Sequence, residues 1–215
     1  MSDIPVISEL RPDPAKPGCV VARIRGRKPW RIDAEAAAGL GLVAGREVND
    51  TLLERIEHAA ANCKGRLRLQ SRLAVRALSR IEAQALMRRA GASGDYARAT
   101  VEDFVKRGWI DDDQLARSVA RAEAARPVGA QRVVARVARR GVGSGLARAA
   151  ADEAVKARTR SALELAIAAA RAQMRKLPPR LDEQARQRRV LGFLARQGFD
   201  QRTALQAVRE ARAAE

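Results

Sequence analysis

Phe104-Val-Lys-Arg-Gly-Trp-Ile-Asp-Asp-Asp-Gln-Leu-Ala-Arg-Ser-Val119 closes one amphipathic helix, turns, and opens the next. Gly108 suits the left-handed conformation that ends a helix at C′. Asp111 is placed to N-cap the following helix, Gln114 to return a capping-box contact, and Ile110 to staple across to Leu115. The same joint is hinted at twice more. Arg139-Arg-Gly-Val142 precedes Ser144, and Arg196-Gln-Gly-Phe199 precedes Asp200. Three joints of one form point to a repeated helical unit.

Composition narrows the class around that joint. A chain of 215 residues suits one or two domains and can bury a real core. Aromatic residues make up only 3%, so the core must be built from small side chains at helix–helix contacts, which favours helices over a sandwich or barrel. Lys and Arg outnumber Asp and Glu by 42 to 25, a formal charge of +17, and such a field concentrates a polyanion. No apolar window is long enough to span a membrane, and Met1-Ser-Asp-Ile-Pro5 lacks the regions of a signal peptide, so a cytoplasmic protein is expected. Cys19 and Cys63 lie far apart, without a Cys-x-x-Cys, and are expected to be reduced.

The N-terminal stretch reads differently from the rest. Pro12, Pro14, Pro17 and Pro29 forbid long helices, while Val6–Leu10, Cys19–Ile24 and Trp30–Ile32 have the composition of short strands. Asp33 is placed to cap a short helix, and Asn49 or Asp50 another with Leu52, Leu53 and Ile56 on one face. Asn62-Cys-Lys-Gly65 reads as the linker. From Leu67 the period becomes 3.6: Leu73, Ala77, Leu78, Ile81 and Ala85 share a stripe, as do Ala97, Val101, Phe104 and Val105. Val133, Val134, Val137 and Ala138 carry the pattern on, and Ser144 is placed to cap the helix after them. Leu163, Ile167, Ala170, Met174 and Leu177 follow. Pro178-Pro179 ends that helix, and Asp182 and Asp200 cap the last two.

The expected fold is therefore mainly α. Tandem three-helix repeats stack into an elongated, curved solenoid behind a small α+β N-terminal domain, with a compact bundle as the alternative. The expected divisions are 1–64, 65–125, 126–177 and 178–215.

No catalytic constellation is visible. The sequence holds no phosphate-binding glycine loop, no nucleophile with a base at a familiar spacing, and no pair of His for a metal, so neither an enzyme nor a cofactor is expected. His58 reads as a surface residue, and Asp111-Asp-Asp113 as capping rather than cation binding. Basic residues carry the signal. Arg126, Arg132, Arg136, Arg139, Arg140 and Arg148 occur in a run without one acid, and Arg180, Arg186, Arg188 and Arg189 form a second. Arg132, Arg136, Arg139 and Arg140 have helical spacing and are expected to act as one patch toward phosphate or an acidic surface.

Several pieces of the sequence resemble the RecX family, regulators of the bacterial recombinase RecA. They are Ala77-Leu-Ser79, Val105-Lys-Arg-Gly-Trp-Ile-Asp-Asp112 with Leu115-Ala116, Gly129 ahead of Val133-Val-Ala-Arg-Val-Ala-Arg-Arg-Gly-Val142, and Arg189-Val-Leu-Gly-Phe-Leu-Ala-Arg-Gln-Gly-Phe199. The resemblance runs from about Arg72 to Ala211, with a weaker echo in Gly26-Arg, Ile32-Asp33, Leu40-Gly-Leu42, Gly45 and Leu52-Leu53. It departs from the family around Ser79–Leu86, where the first helix pair is short, and at Ala120–Arg126, where alanines replace bulkier residues. The resemblance implies a monomeric helical-repeat protein that lodges on a RecA–single-stranded DNA filament. There it restrains recombinase, ATPase and co-protease activity during DNA repair, homologous recombination and the SOS response. A stand-alone DNA-binding protein is the other reading, but Ala and Arg dominate where a recognition helix would present Asn, Gln or Ser to base edges.

Overall fold

The computed structural model describes residues 5–178 and 180–213. Met1–Ile4, which bore on the signal-peptide reading, and Pro179 of the Pro-Pro stop lie outside the described residues. The chain forms two compact units, divided between Ile110 and Asp111.

The first unit opens with an antiparallel sheet of β1 (Ile7–Pro12), β2 (Cys19–Ile24) and β3 (Trp30–Asp33), in that order. Alternation along β2 buries Ala22 and Ile24 and exposes Arg23 between them, so one face is apolar. Ile7, Ala22, Ile24 and Ile32 pack there against α1 (Ala34–Gly39), Val48, and Leu52 and Ile56 of α2 (Asp50–Leu73). Asn49 caps α2, its side chain accepting from Leu52 N at 2.8 Å.

α2 runs without a break through the expected linker at 62–65. Each residue that read as an interruption has a tertiary reason instead. The Asn62 side chain accepts from Ser93 N at 2.9 Å, and Cys63 is fully buried. Gly65 lets another segment in: a Cβ there would stand 2.8 Å from the Ala92 Cβ and 3.3 Å from the Met87 carbonyl oxygen.

The helix ends at Leu73, and α3 (Arg80–Arg89) starts afresh with a capping box between Ser79 and Glu82. The expected stripe through Ala77 and Ile81 is thereby broken. Val75 is 77% and Ile81 60% exposed, while Leu78, Ala83 and Met87 enter the core with Leu69 and with Ala97, Val101 and Phe104 of α4 (Gly94–Lys106).

The end of α4 has the expected glycine form. Gly108 takes φ +72°, its N–H donates to Val105 O and that of Trp109 to Phe104 O at 2.8 Å, which makes a Schellman motif. The Trp109 ring stays at the surface. It is 50% exposed, edge-on to Phe104 and beneath the Arg107 guanidinium, while Ile110 takes the buried place.

The second unit contains α5 (Asp112–Ala124), α6 (Ala130–Ala138), α7 (Ser144–Lys156), α8 (Ala162–Met174), α9 (Glu183–Arg196) and α10 (Gln201–Arg212). Asp111, Asp182 and Asp200 cap as their positions predict. Ser144 does not: it is the first helical residue, and Gly143 holds the cap position without a side-chain bond. Leu115, Ala116, Ala120, Val133, Val137, Ala147 and Ala151 make one core, and Leu165, Ala166, Val190, Leu194, Phe199, Ala204 and Val208 another.

Helices therefore group in threes: α2 to α4, α5 to α7 and α8 to α10. The divisions read at 125 and 177 each fall one helix later than this packing. Gly plus cap ends a helix locally and does not encode which neighbours it packs with.

Candidate nucleic-acid interface

The acid-free run begins at the end of α5 and reaches into α7, and the structure separates its arginines by role. Arg132, on the first turn of α6, is half-buried. Its Nε donates to Glu123 Oε1 at 3.1 Å and its Nη1 to Gln197 Oε1 at 2.8 Å. Glu123 is only 5% exposed and also meets Arg126 at 3.7 Å. Arg132 is thus an internal tie between three helices and not a member of one exposed patch. The sequence could not show this, because its two partners are 9 and 65 residues away.

Arg136, Arg139 and Arg148 are exposed, and among the described residues none takes an acidic partner; Arg139 Nε reaches only Ala135 O, at 3.3 Å. Arg140 is half-buried. Of the second run, Arg180 lies exposed in the turn before α9, Arg188 and Arg189 are exposed on α9, and Arg186 is half-buried.

Arg126 belongs to a further feature, a cavity of about 340 Å³ where α5 and α7 end and α8 begins. Arg121, Arg126, Arg158 and Arg160 line it, with no carboxylate in its wall. Arg158 Nη1 donates to Val128 O at 2.8 Å, whereas its Nε and Nη2 are buried without a hydrogen-bond partner. Burial lowers the Arg158 pKa, since nothing nearby compensates the desolvated charge. Arg121 escaped the sequence reading because Glu123 separates it from the acid-free run, and Arg158 and Arg160 because Asp152 and Glu153 end that run before them.

The first unit holds a buried polar cluster of another kind. Asp33 precedes α1 but makes no side-chain cap bond. Its carboxylate instead accepts from Arg66 Nε at 3.1 Å and from the Tyr96 hydroxyl at 2.5 Å. Cys19 Sγ and Cys63 Sγ, far apart in sequence, lie 3.7 Å from each other as free thiols.

Burial alone would raise the Asp33 pKa, but the Arg66 and Tyr96 bonds outweigh it and hold the carboxyl below its usual range. Burial, then the Asp33 charge, pushes the Cys63 thiol far up, and burial and the Asp33 bond do the same to Tyr96. Cys19, Asp33 and Cys63 offer ligand atoms within 4.8 Å of one another. The Arg66 guanidinium touches Asp33 and, at 3.3 Å, Cys19 Sγ, so two of the three are already engaged by a fixed cation. The cluster binds sheet, α2 and α4 together. Asp111 is likewise structural, accepting from Asp113 N and Gln114 N at 2.9 Å, and His58 is exposed.

No protein-family profile matches this sequence, and no curated protein matches it either. Solved structures do. The crystal structure of a regulatory protein RecX superposes with a TM-score of 0.63 at 17% identity, over 93% of this chain and 96% of that one. The chain has the RecX fold. RecX from Lactobacillus salivarius superposes with a TM-score of 0.58 at 16% identity, over 72% of this chain and 99% of that one. Identity this low carries the RecX architecture and leaves contact residues to be argued from this chain alone. Among the described residues no helix is long and apolar enough to cross a membrane.

Proposed function

We propose that this protein regulates a RecA-type recombinase by binding its filament on single-stranded DNA, restraining ATP hydrolysis, strand exchange and co-protease activity in DNA repair and the SOS response. It acts as a cytoplasmic, monomeric binding protein rather than an enzyme. The observation that carries this reading is the set of exposed arginines on a RecX fold, Arg136, Arg139 and Arg148, that have no acidic partner among the described residues, in a chain of net charge +17. The arginine-lined cavity beside α8, where the Nε and Nη2 of Arg158 are buried without an acceptor, supports the same polyanionic partner.

The test is single-stranded-DNA-dependent ATP hydrolysis by the host recombinase, titrated with the intact chain and with a triple variant, Arg136→Glu, Arg139→Glu, Arg148→Glu. Arg132 is left alone because a carboxylate there would face buried Glu123. Exposed arginines stabilise the fold little, so the helical dichroism should persist. The inhibition should be lost. If the three meet phosphate, the slope of log affinity for bare single strands against log salt falls by roughly 0.7 per contact, about two in all. If they meet the recombinase, bare-strand binding stays and only the ATPase effect disappears. A variant that keeps both would remove this surface from the account.

A further inference from the structure

We infer that the first unit carries a nucleic-acid site of its own, in which an unpaired base stacks on Trp30 while Lys16, Lys64 and Arg68 hold the adjoining phosphates. The site is a cavity of about 430 Å³ between β3 and α2, outside both arginine runs.

Helical spacing builds one wall. Ala60, Lys64, Leu67, Arg68 and Ser71 follow one another at intervals that keep them on one stripe of α2. Strand alternation builds the other: Ile32 is buried in the core, and Trp30, two residues earlier on the same face, reaches the sheet's margin half-buried. A flat indole thus stands across an apolar strip from cationic side chains.

The cavity wall holds four cations and no carboxylate. Arg31 is engaged by Asp13, leaving Lys16, Lys64 and Arg68 without an acidic partner among the described residues. Cations alone would accept any polyanion. The indole decides the class, because every nucleobase offers a π-face and single-strand binders combine a basic track with aromatic platforms. The lining has almost nothing with which to read base edges. Its sole hydroxyl, on Ser71, donates to Leu67 O at 3.0 Å within its own helix. The site should therefore be tolerant of sequence. It needs no recombinase, and so goes beyond the regulatory reading.

The test uses the full chain carrying Trp109→Phe, which leaves Trp30 as the one emitting indole of the two tryptophans. Oligo(dT) should quench that emission saturably, while a duplex of equal length and dTMP at equal nucleotide concentration should not. Trp30→Ala should weaken oligo(dT) binding roughly 5- to 100-fold and Trp30→Phe much less. Lys64→Ala with Arg68→Ala should lower the salt slope by about 0.7 per cation removed with the dichroism unchanged. This pair, together with quenching of intact Trp30, decides the matter even if Trp30→Ala unfolds the sheet.

Unchanged Trp30 emission when a labelled strand is shown by anisotropy to be bound would overturn the proposal. Equal quenching by dTMP or by duplex would do so too. None of these results touches the regulatory reading, which stands or falls on recombinase ATPase.

Discussion

Gly129→Ala should be among the most damaging small substitutions in the second unit, and the reason lies in one backbone crossing. Gly129 precedes α6, and its main chain lies directly on the turn between α9 and α10. Its N–H donates to Gln197 O at 2.9 Å, and the N–H of Gln131 donates to Gly198 O at 3.3 Å. A Cβ on Gly129 would fall inside the contact distance of the Gly198 carbonyl and of Phe199 N, all main-chain atoms that cannot swing aside.

Relief means separating the two chains by on the order of an ångström, which breaks both hydrogen bonds at about 1 kcal/mol each. It also disturbs Val128 and Phe199, buried at 3% and 4% exposure, and overpacking of that kind costs about 1–3 kcal/mol. The total, about 3–5 kcal/mol, is a large fraction of an ordinary domain's stability.

Urea unfolding followed by circular dichroism should show the midpoint lowered by at least about 1 M, given slopes of about 1–3 kcal/mol per M. Gly145→Ala is the control. Gly145 lies in α7 with no atom within 4 Å of a Cβ and no positive φ, so alanine should raise stability by about 0.5–1 kcal/mol. Opposite signs from the same chemical change are the expectation. If Gly129→Ala unfolds within about 1 kcal/mol of the parent, the crossing is not a tight contact and the reasoning is wrong.

Acid should weaken the first unit through Asp33. Its folded pKa is depressed, so its contribution is present above the unfolded carboxylate value of about 3.9 and is lost as pH falls through the lower folded value. Tyr96→Phe removes one of its hydrogen bonds, which should cost about 1–2 kcal/mol at neutral pH and shrink the acid-side loss; an acid limb identical to the parent's would show that the bond contributes nothing. Cys19 and Cys63 are 2% and 0% exposed, with the Cys63 thiol pushed far up by burial and the Asp33 charge, so iodoacetamide at neutral pH should alkylate them only after unfolding. Prompt labelling of the native protein would contradict the cluster as described.

Local signals were legible in the sequence, and long-range ones were not. The Gly108 joint and the caps at Asn49, Asp111, Asp182 and Asp200 depend on atoms within a turn or two, and they stand where the residue types placed them. Asp33 looked like another cap because its true partners, Arg66 and Tyr96, are 33 and 63 residues away. Gly65 looked like a breaker because the chain that needs its missing Cβ arrives at Ala92. For the candidate interface, composition pointed to the arginines, but only packing separates exposed Arg136 and Arg139 from Arg132, which Glu123 and Gln197 hold.

The unbroken α2 also sets a phase. Ile56 belongs to the core under the sheet and Leu69 to the core of α3 and α4, and both hang from one rod of 24 residues. Inserting a single residue between them would turn the far half by roughly 100°, carrying Leu69 away from its partners and Gly65 away from Ala92. Seven inserted residues would come back to within roughly 20° of the original angle, yet would lengthen the rod by about 10 Å. Neither angle nor length is free, so this stretch of the chain must keep its residue count while the loops around it can vary.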